Sequence, residues 1–351
     1  DSAFGRALPR AASHRVTKTR VLLVLFGLAL SAAAIVMLGR SIDVGEAVRS
    51  VGRASIPWFL AANLLTIVVY WLRSLRWQSL LKPHASPTVG RLFRANMIGF
   101  LAINVLPARL GELVRAFGLA RKERISTAAV IGSVAVERIF DMVFLGIFWS
   151  LSLLFAPLPP WFKWSGYVTI AIAVVIGGGI WLLNASRGRS SRLRSGVMAR
   201  VPDRMKDRFS SAVSAFGVGI QIVGRPGLLL EAAFWSAASW LVSCGTFLLV
   251  GQSLGITLPF WSTFLLTFVV CVGISLPSSP GFIGIMEGAC VLGLGFVNVR
   301  GPEALAFAIL YHLTQLLPLL ILGTYFAIRE HLAPLRLAQP ETLDSAPNRK
   351  D

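Results

Sequence analysis

Leu106-Pro107-Ala108-Arg109-Leu110-Gly111-Glu112 places a helix breaker, two charges and a flexible glycine between two apolar half-segments. Residues 95–106 upstream are apolar apart from Asn96 and Asn104. At about 1.5 Å per helical residue they reach roughly 18 Å inward from Arg94, about half of a bilayer's ~30 Å hydrocarbon core. Downstream, 113–120 leads back to the basic run Arg121-Lys122-Glu123-Arg124. The pattern predicts a re-entrant hairpin whose tip carries Arg109 near mid-membrane. Irregular backbone is tolerated at that depth only where protein buries it or a wet cavity solvates it, so a cavity is expected there.

A second stretch has the same grammar. Leu276-Pro277-Ser278-Ser279-Pro280-Gly281 follows the apolar run 260–275 and leads into a glycine-bearing segment with an acid, Gly284 to Glu287. Paired interruptions at corresponding places in two halves point to a transporter's binding site. Chance recurrence of Leu-Pro in a Leu-rich chain is the plainer alternative. The repeat is preferred because both breaks interrupt membrane-competent runs.

The bulk composition agrees. Of 351 residues 55% are hydrophobic and 14% charged, against about 25% charged in a soluble domain, and the mean hydropathy is +0.70. A polytopic, all-α membrane protein follows. The net charge of +18 sits mostly in short segments between apolar runs, which topology explains better than a nucleic-acid partner. Cys244, Cys271 and Cys290 have no metal-ligand spacing and read as packing residues.

In chain order, 1–20 is a basic N-terminus and 21–328 a single transmembrane unit. Positive residues stay on the cytoplasmic side, so the N-terminus is expected inside. The first span is 21–38. A second, from Pro57 to Leu72, has Trp58 at one end and Trp71 and Trp77 at the other, as interfacial belts would. Arg73 and Arg76 read first as topological anchors, although three residues apart on a helix they face one way. The longest run, 127–155, carries Glu137-Arg138 and Asp141, with Arg138 roughly 21 Å beyond Arg124 at helical rise. A charge that deep costs about 2.5–3.5 kcal/mol and needs an interior partner. An internal salt-bridge cluster, a surface position and a cavity lining all stay open for it.

Another span is expected at 166–183, followed by the basic connection 184–227. There Met205, Phe209, Val213, Phe216, Ile220 and Val223 recur at helical spacing. The span 228–250 is followed by 260–298, which either crosses fully or dips as a hairpin from outside. No Lys or Arg lies between Pro259 and Arg300, which favours the dip. The last span, 303–328, holds His312 and Gln315, read as interhelical hydrogen-bonding residues. Residues 329–351 read as a disordered cytoplasmic tail. The expected architecture is about six full spans plus two re-entrant hairpins in an inverted repeat.

Arg73-Ser74-Leu75-Arg76-Trp77, Asn104 to Glu112 with Arg115, Glu137-Arg138 with Asp141, and Leu276 to Gly281 with Gly284 and Glu287 together resemble the transmembrane region of lysylphosphatidylglycerol synthases. That family includes stand-alone, flippase-like membrane proteins, and the similarity covers about 20–330. In its bifunctional members this region is thought to move an aminoacylated phospholipid between leaflets while a cytosolic domain performs aminoacyl transfer. With the sequence ending at Asp351, the resemblance implies the translocating half without the transferase, and lysyl transfer is not expected.

The expected function is therefore flippase-type lipid transport in a bacterial inner membrane, both termini cytoplasmic. Its substrate is a phospholipid or polyprenyl-phosphate-type lipid. Arg109 is the first phosphate contact, with Arg115 and Arg138 next, and Glu112, Glu137, Asp141 and Glu287 hold them or pair with a cationic headgroup. Asn104, Ser278, Ser279, Gly281, Arg73 and Arg76 complete the candidate substrate-binding set. No catalytic residue, metal or cofactor is indicated. A second copy of the chain or a lipid-modifying enzyme are the protein partners compatible with this reading. The rivals are a membrane transferase acting on a lipid-linked substrate, a small-molecule or ion transporter, and a scaffold.

Overall fold

A computed structural model describes residues 18–105, 111–156, 158–164, 166–168, 171 and 225–337. These are helical, with no strand among the described residues. The helices are α1 (Lys18–Ser41), α2 (Val44–Gly52), α3 (Ile56–Leu81), α4 (Val89–Val105), α5 (Gly111–Glu123), α6 (Thr127–Phe155), α7 (Pro226–Ser253), α8 (Ser262–Ser275), α9 (Ile285–Gly295), α10 (Gly301–Pro318) and α11 (Thr324–Leu337).

Among the described residues four stretches are long and apolar enough to cross a bilayer: α3, α6, α7 and Gly301–Glu330. A fifth crossing is counted if α1 and α2, bent by 89° at their junction, form one span. The span expected at 166–183 lies almost wholly outside the described residues, as does the amphipathic pattern from Met205 to Val223. The connection 40–56 contains α2, capped by Asp43, whose Oδ1 accepts the Glu46 amide at 2.9 Å.

Antiparallel α3 and α7 form the frame. The Ser55 amide donates to the Ser253 carbonyl at one end (2.7 Å), and Lys82 pairs with Glu231 at the other (2.7 Å). Polar side chains inside these helices satisfy themselves locally: Asn63, Thr66, Ser74 and Ser79 each donate to the carbonyl four residues earlier. Inside hydrocarbon that is the cheapest way to accommodate them. Outward positions carry large apolar groups, with Leu64 64% and Leu154 74% exposed, as a lipid-facing surface requires.

Two helix pairs fold back on themselves. In the first, Arg91 pairs with Glu123, Asn96 with Arg115, and the Gly111 backbone lies against Ile103, so α4 and α5 run antiparallel. In the second, Gly273 lies against Ala289 and Gly293 against Leu266, so α8 and α9 do too. The first pair starts from the Lys82 end of the frame and the second from the Ser253 end. The end of α4 approaches the turn between α8 and α9: a Cβ on Gly281 would lie 3.9 Å from the Asn104 carbonyl oxygen.

The second break is fully described. Residues Pro280–Phe282 form a single 3₁₀ turn, and Gly281 (φ 72°), Phe282 (φ 59°) and Gly284 (φ 86°) are left-handed. Two of those three positions are glycine; at Phe282 the side chain adopts φ > 0 at an energetic cost. α1 braces this break, the Ser279 amide donating to Ser31 Oγ at 2.9 Å. Beyond Pro318 the helix widens into a π-turn, Leu319–Gly323, where proline removes a backbone donor and Gly323 packs onto the Met97 carbonyl.

Candidate functional site

Three helices, α3, α5 and α6, bring their charges together. Glu137 and Asp141, one turn apart on α6, face α3 and α5. Glu137 Oε1 accepts Arg76 Nη2 at 2.7 Å and its Oε2 accepts Arg115 Nη2 at 2.9 Å; Arg76 Nη1 donates to Asp141 Oδ1 at 2.7 Å. Arg115 also donates to Asn96 (2.8 Å), which donates to Ser74 (2.8 Å), and its guanidinium lies 4.4 Å from the Trp77 ring centre. Arg76, Arg115 and Glu137 are each no more than 2% exposed. Arg138 closes the set, 3.3 Å from Asp141 and 4.0 Å from Glu112. Three arginines thus face three carboxylates, and the network balances.

Beside it lies a cavity of about 190 Å³ between the two helix pairs and the α3–α7–α10 frame. Arg73, Arg138, Glu112 and Asn104 line one part, and Trp240, Tyr311, His312 and Gln315 another. Arg73 differs from its neighbours. Its guanidinium sits between the rings of Phe100 (5.9 Å) and Trp240 (5.6 Å), and among the described residues no carboxylate lies within 4.0 Å of it. Across the cavity, His312 Nδ1 lies 2.5 Å from Glu287 Oε1, and Glu287 Oε2 accepts the Gly284 amide at 2.6 Å. That carboxylate ties the second break to α10.

The model of the lysylphosphatidylglycerol synthase transmembrane region matches residues 24–323. The chain belongs to this family. It is 26% identical over 326 residues to glycosyltransferase AglD of Haloferax volcanii, covering 84% of this chain and 52% of that protein. The chain thus spans about half the length of that relative. A UPF0104 membrane protein of Methanocaldococcus jannaschii is 22% identical over 231 residues, 63% of this chain and 90% of that protein.

In this family member the sequence candidates divide into four groups. Arg109 lies outside the described residues, together with the rest of 106–110. Arg76, Arg115 and Glu137 are consumed by the buried network; Arg76 is no interfacial anchor, and Trp77, expected at the membrane interface, is fully buried against Ser133 (3.0 Å). Arg73, Asn104, Glu112 and Arg138 line the cavity, while Asp141 faces Arg76 and Arg138. Ser278, Ser279 and Gly281 shape the second break, where Ser279 Oγ donates to the Ile283 carbonyl at 3.1 Å. Glu287 reaches the cavity wall only through His312.

Sequence reading passed over Tyr70, Phe100, Thr66, Ser243 and Thr246, all cavity-lining. The available signal was Thr66, Ser243, Thr246 and Thr267 recurring in otherwise apolar spans. Single hydroxyls there are routine, so that signal is weak without the helix order.

Proposed function

We propose that this membrane protein transports a phosphate-bearing lipid between leaflets, flippase-fashion, with the headgroup passing through the cavity while the acyl chains stay in the bilayer. The observation that carries this reading is Arg73: a cavity-lining guanidinium flanked by two rings, with no carboxylate within 4.0 Å among the described residues, beside a network that is already balanced. A cation so placed attracts one anionic group, and guanidinium geometry suits phosphate. Two helix pairs starting from opposite ends of the frame, with the end of α4 against the second break, suit an inverted-repeat carrier. Arg109, by its place in the sequence, is assigned the next phosphate contact. The family's lipid-related name and the basic 1–20 segment support a plasma-membrane protein with cytoplasmic termini and a phospholipid or polyprenyl-phosphate-type substrate.

The test is translocation of a fluorescent phospholipid in reconstituted vesicles, read by quencher protection. Arg73→Gln is expected to lower the rate at least tenfold while shifting thermal unfolding little, because Arg73 has no ion-pair partner among the described residues and loses only its two ring contacts. Arg109→Ala should do the same. Undiminished transport by Arg73→Gln would remove the residue, and with it the reading. A second reading comes from the relative named a glycosyltransferase: the chain as the membrane part of a system that glycosylates a lipid-linked acceptor. Chemical change of the lipid, detected by mass spectrometry after incubation with a sugar donor, would establish it.

A further inference from the structure

The cavity's hydrogen-bonding groups are sorted by kind. Arg73, Arg138 and Trp240 can only donate, and Trp240 Nε1 and Arg138 Nε are buried with no hydrogen-bond partner among the described residues. Thr66, Ser243 and Asn104 present lone pairs. Thr66 and Ser243 spend their hydroxyl hydrogens on the carbonyls of Ala62 (3.0 Å) and Ser239 (2.9 Å), and Asn104 spends an amide hydrogen on the Phe100 carbonyl (2.9 Å). Their oxygens remain available as acceptors.

His312 completes this set. Glu287 Oε1, 2.5 Å from Nδ1, selects the tautomer whose proton is on Nδ1. With Nδ1 donating to Glu287, Nε2 of the neutral form of the ring is an acceptor, and it is buried with no hydrogen-bond partner among the described residues. Buried polar atoms are almost always satisfied, so an orphan belonging to a cavity-lining residue marks where a ligand's donor belongs.

We infer that the cavity selects a polyhydroxyl headgroup on a singly charged phosphodiester: Arg73 and Trp240 take the phosphate, and His312, Thr66, Asn104 and Ser243 accept from the hydroxyls of a polyol or sugar. This rests on the lipid-transport reading and narrows its substrate. An ammonium headgroup fits less well. Of the carboxylates nearby, Glu112 faces Arg138, and Glu287 is occupied by His312 and the Gly284 amide. Glu287 acts here as a positioning residue, through the imidazole.

Phosphatidylglycerol and phosphatidylmethanol with identical acyl chains carry the same charge and differ in headgroup hydroxyls. Offered at equal concentration to the purified chain and read by native mass spectrometry, phosphatidylglycerol should bind roughly tenfold better, the scale of one or two hydrogen bonds. His312→Phe should shrink that preference to about twofold or less without weakening phosphatidylmethanol, and Ser243→Ala should shrink it in part. The wild-type comparison needs no variant, so misfolding of one cannot rescue the idea. Equal binding of the two lipids by wild type overturns the headgroup inference and leaves transport standing. So does preference for phosphatidylethanolamine. If binding of both anionic lipids is indifferent to Arg73→Gln, or soluble sn-glycerol 3-phosphate displaces them at equal concentration, lipid transport through this cavity fails instead.

Discussion

The two folded-back pairs meet where the end of α4 lies against the second break, yet they are held by opposite means. α4–α5 is locked by side-chain charge: Arg115 reaches from α5 to Glu137 on α6, and the same carboxylate takes Arg76 from α3. α8–α9 carries one acid, Glu287, in its two helices, and its geometry resides in the backbone, in left-handed positions at Gly281, Phe282 and Gly284. Ion pairs in a dry interior have one satisfied arrangement, and departing from it strands a charge. A turn braced by a few amide bonds has neighbouring states at small cost. The first pair is thus built as the fixed wall of the cavity and the second as the wall that can yield.

The largest effect should come from breaking the fixed wall. Glu137→Gln leaves two buried guanidinium groups facing a neutral amide, and stranding a partner of a buried ion pair costs about 3–5 kcal/mol. Thermal unfolding in detergent should show this loss, together with a sharp fall in folded yield. A Glu137→Gln protein as stable as wild type would mean the network does not fix the wall. Gly111→Ala comes next. Its Cβ would lie 2.2 Å from the Ile103 amide nitrogen and 2.5 Å from the Gly99 carbonyl, both backbone atoms. The helices must separate, at about 1–3 kcal/mol, and cysteine crosslinking between α4 and α5 would report the gap.

Much of this contrast is legible in the sequence. Leu-Pro with a glycine and an acid marks both breaks, and the spacing of Glu137 and Asp141 on one helical face forecasts a shared partner. What the sequence conceals is which cation answers. Arg73 and Arg76 are three residues apart near the expected end of a span, where anchoring explains both. The helix in fact continues to Leu81, which carries Arg76 into the carboxylates and Arg73 to the cavity. That division is made by helices distant in sequence, since Trp240 and Phe100 flank one residue and Glu137 and Asp141 claim the other. Local pattern cannot supply it. Likewise the bracing of the second break by α1 joins Ser31 to Ser279, 248 positions away in sequence.

The smallest effect tests the yielding wall. Glu287 accepts the Gly284 amide at the start of α9 and holds His312, so Glu287→Gln keeps the shape and weakens both bonds by removing charge. Loss of such a helix-start contact costs about 0.5–2 kcal/mol, well below the expected cost of Glu137→Gln. Amide hydrogen exchange should localise it, with faster exchange at 284–288 and little change in α5 or α6. Because the Gln amide can donate as well as accept, His312 is no longer confined to one tautomer, and transport should fall even where stability barely moves. Exchange that rises equally in both pairs would show that the two walls are one cooperative unit, and the distinction between them would have to be abandoned.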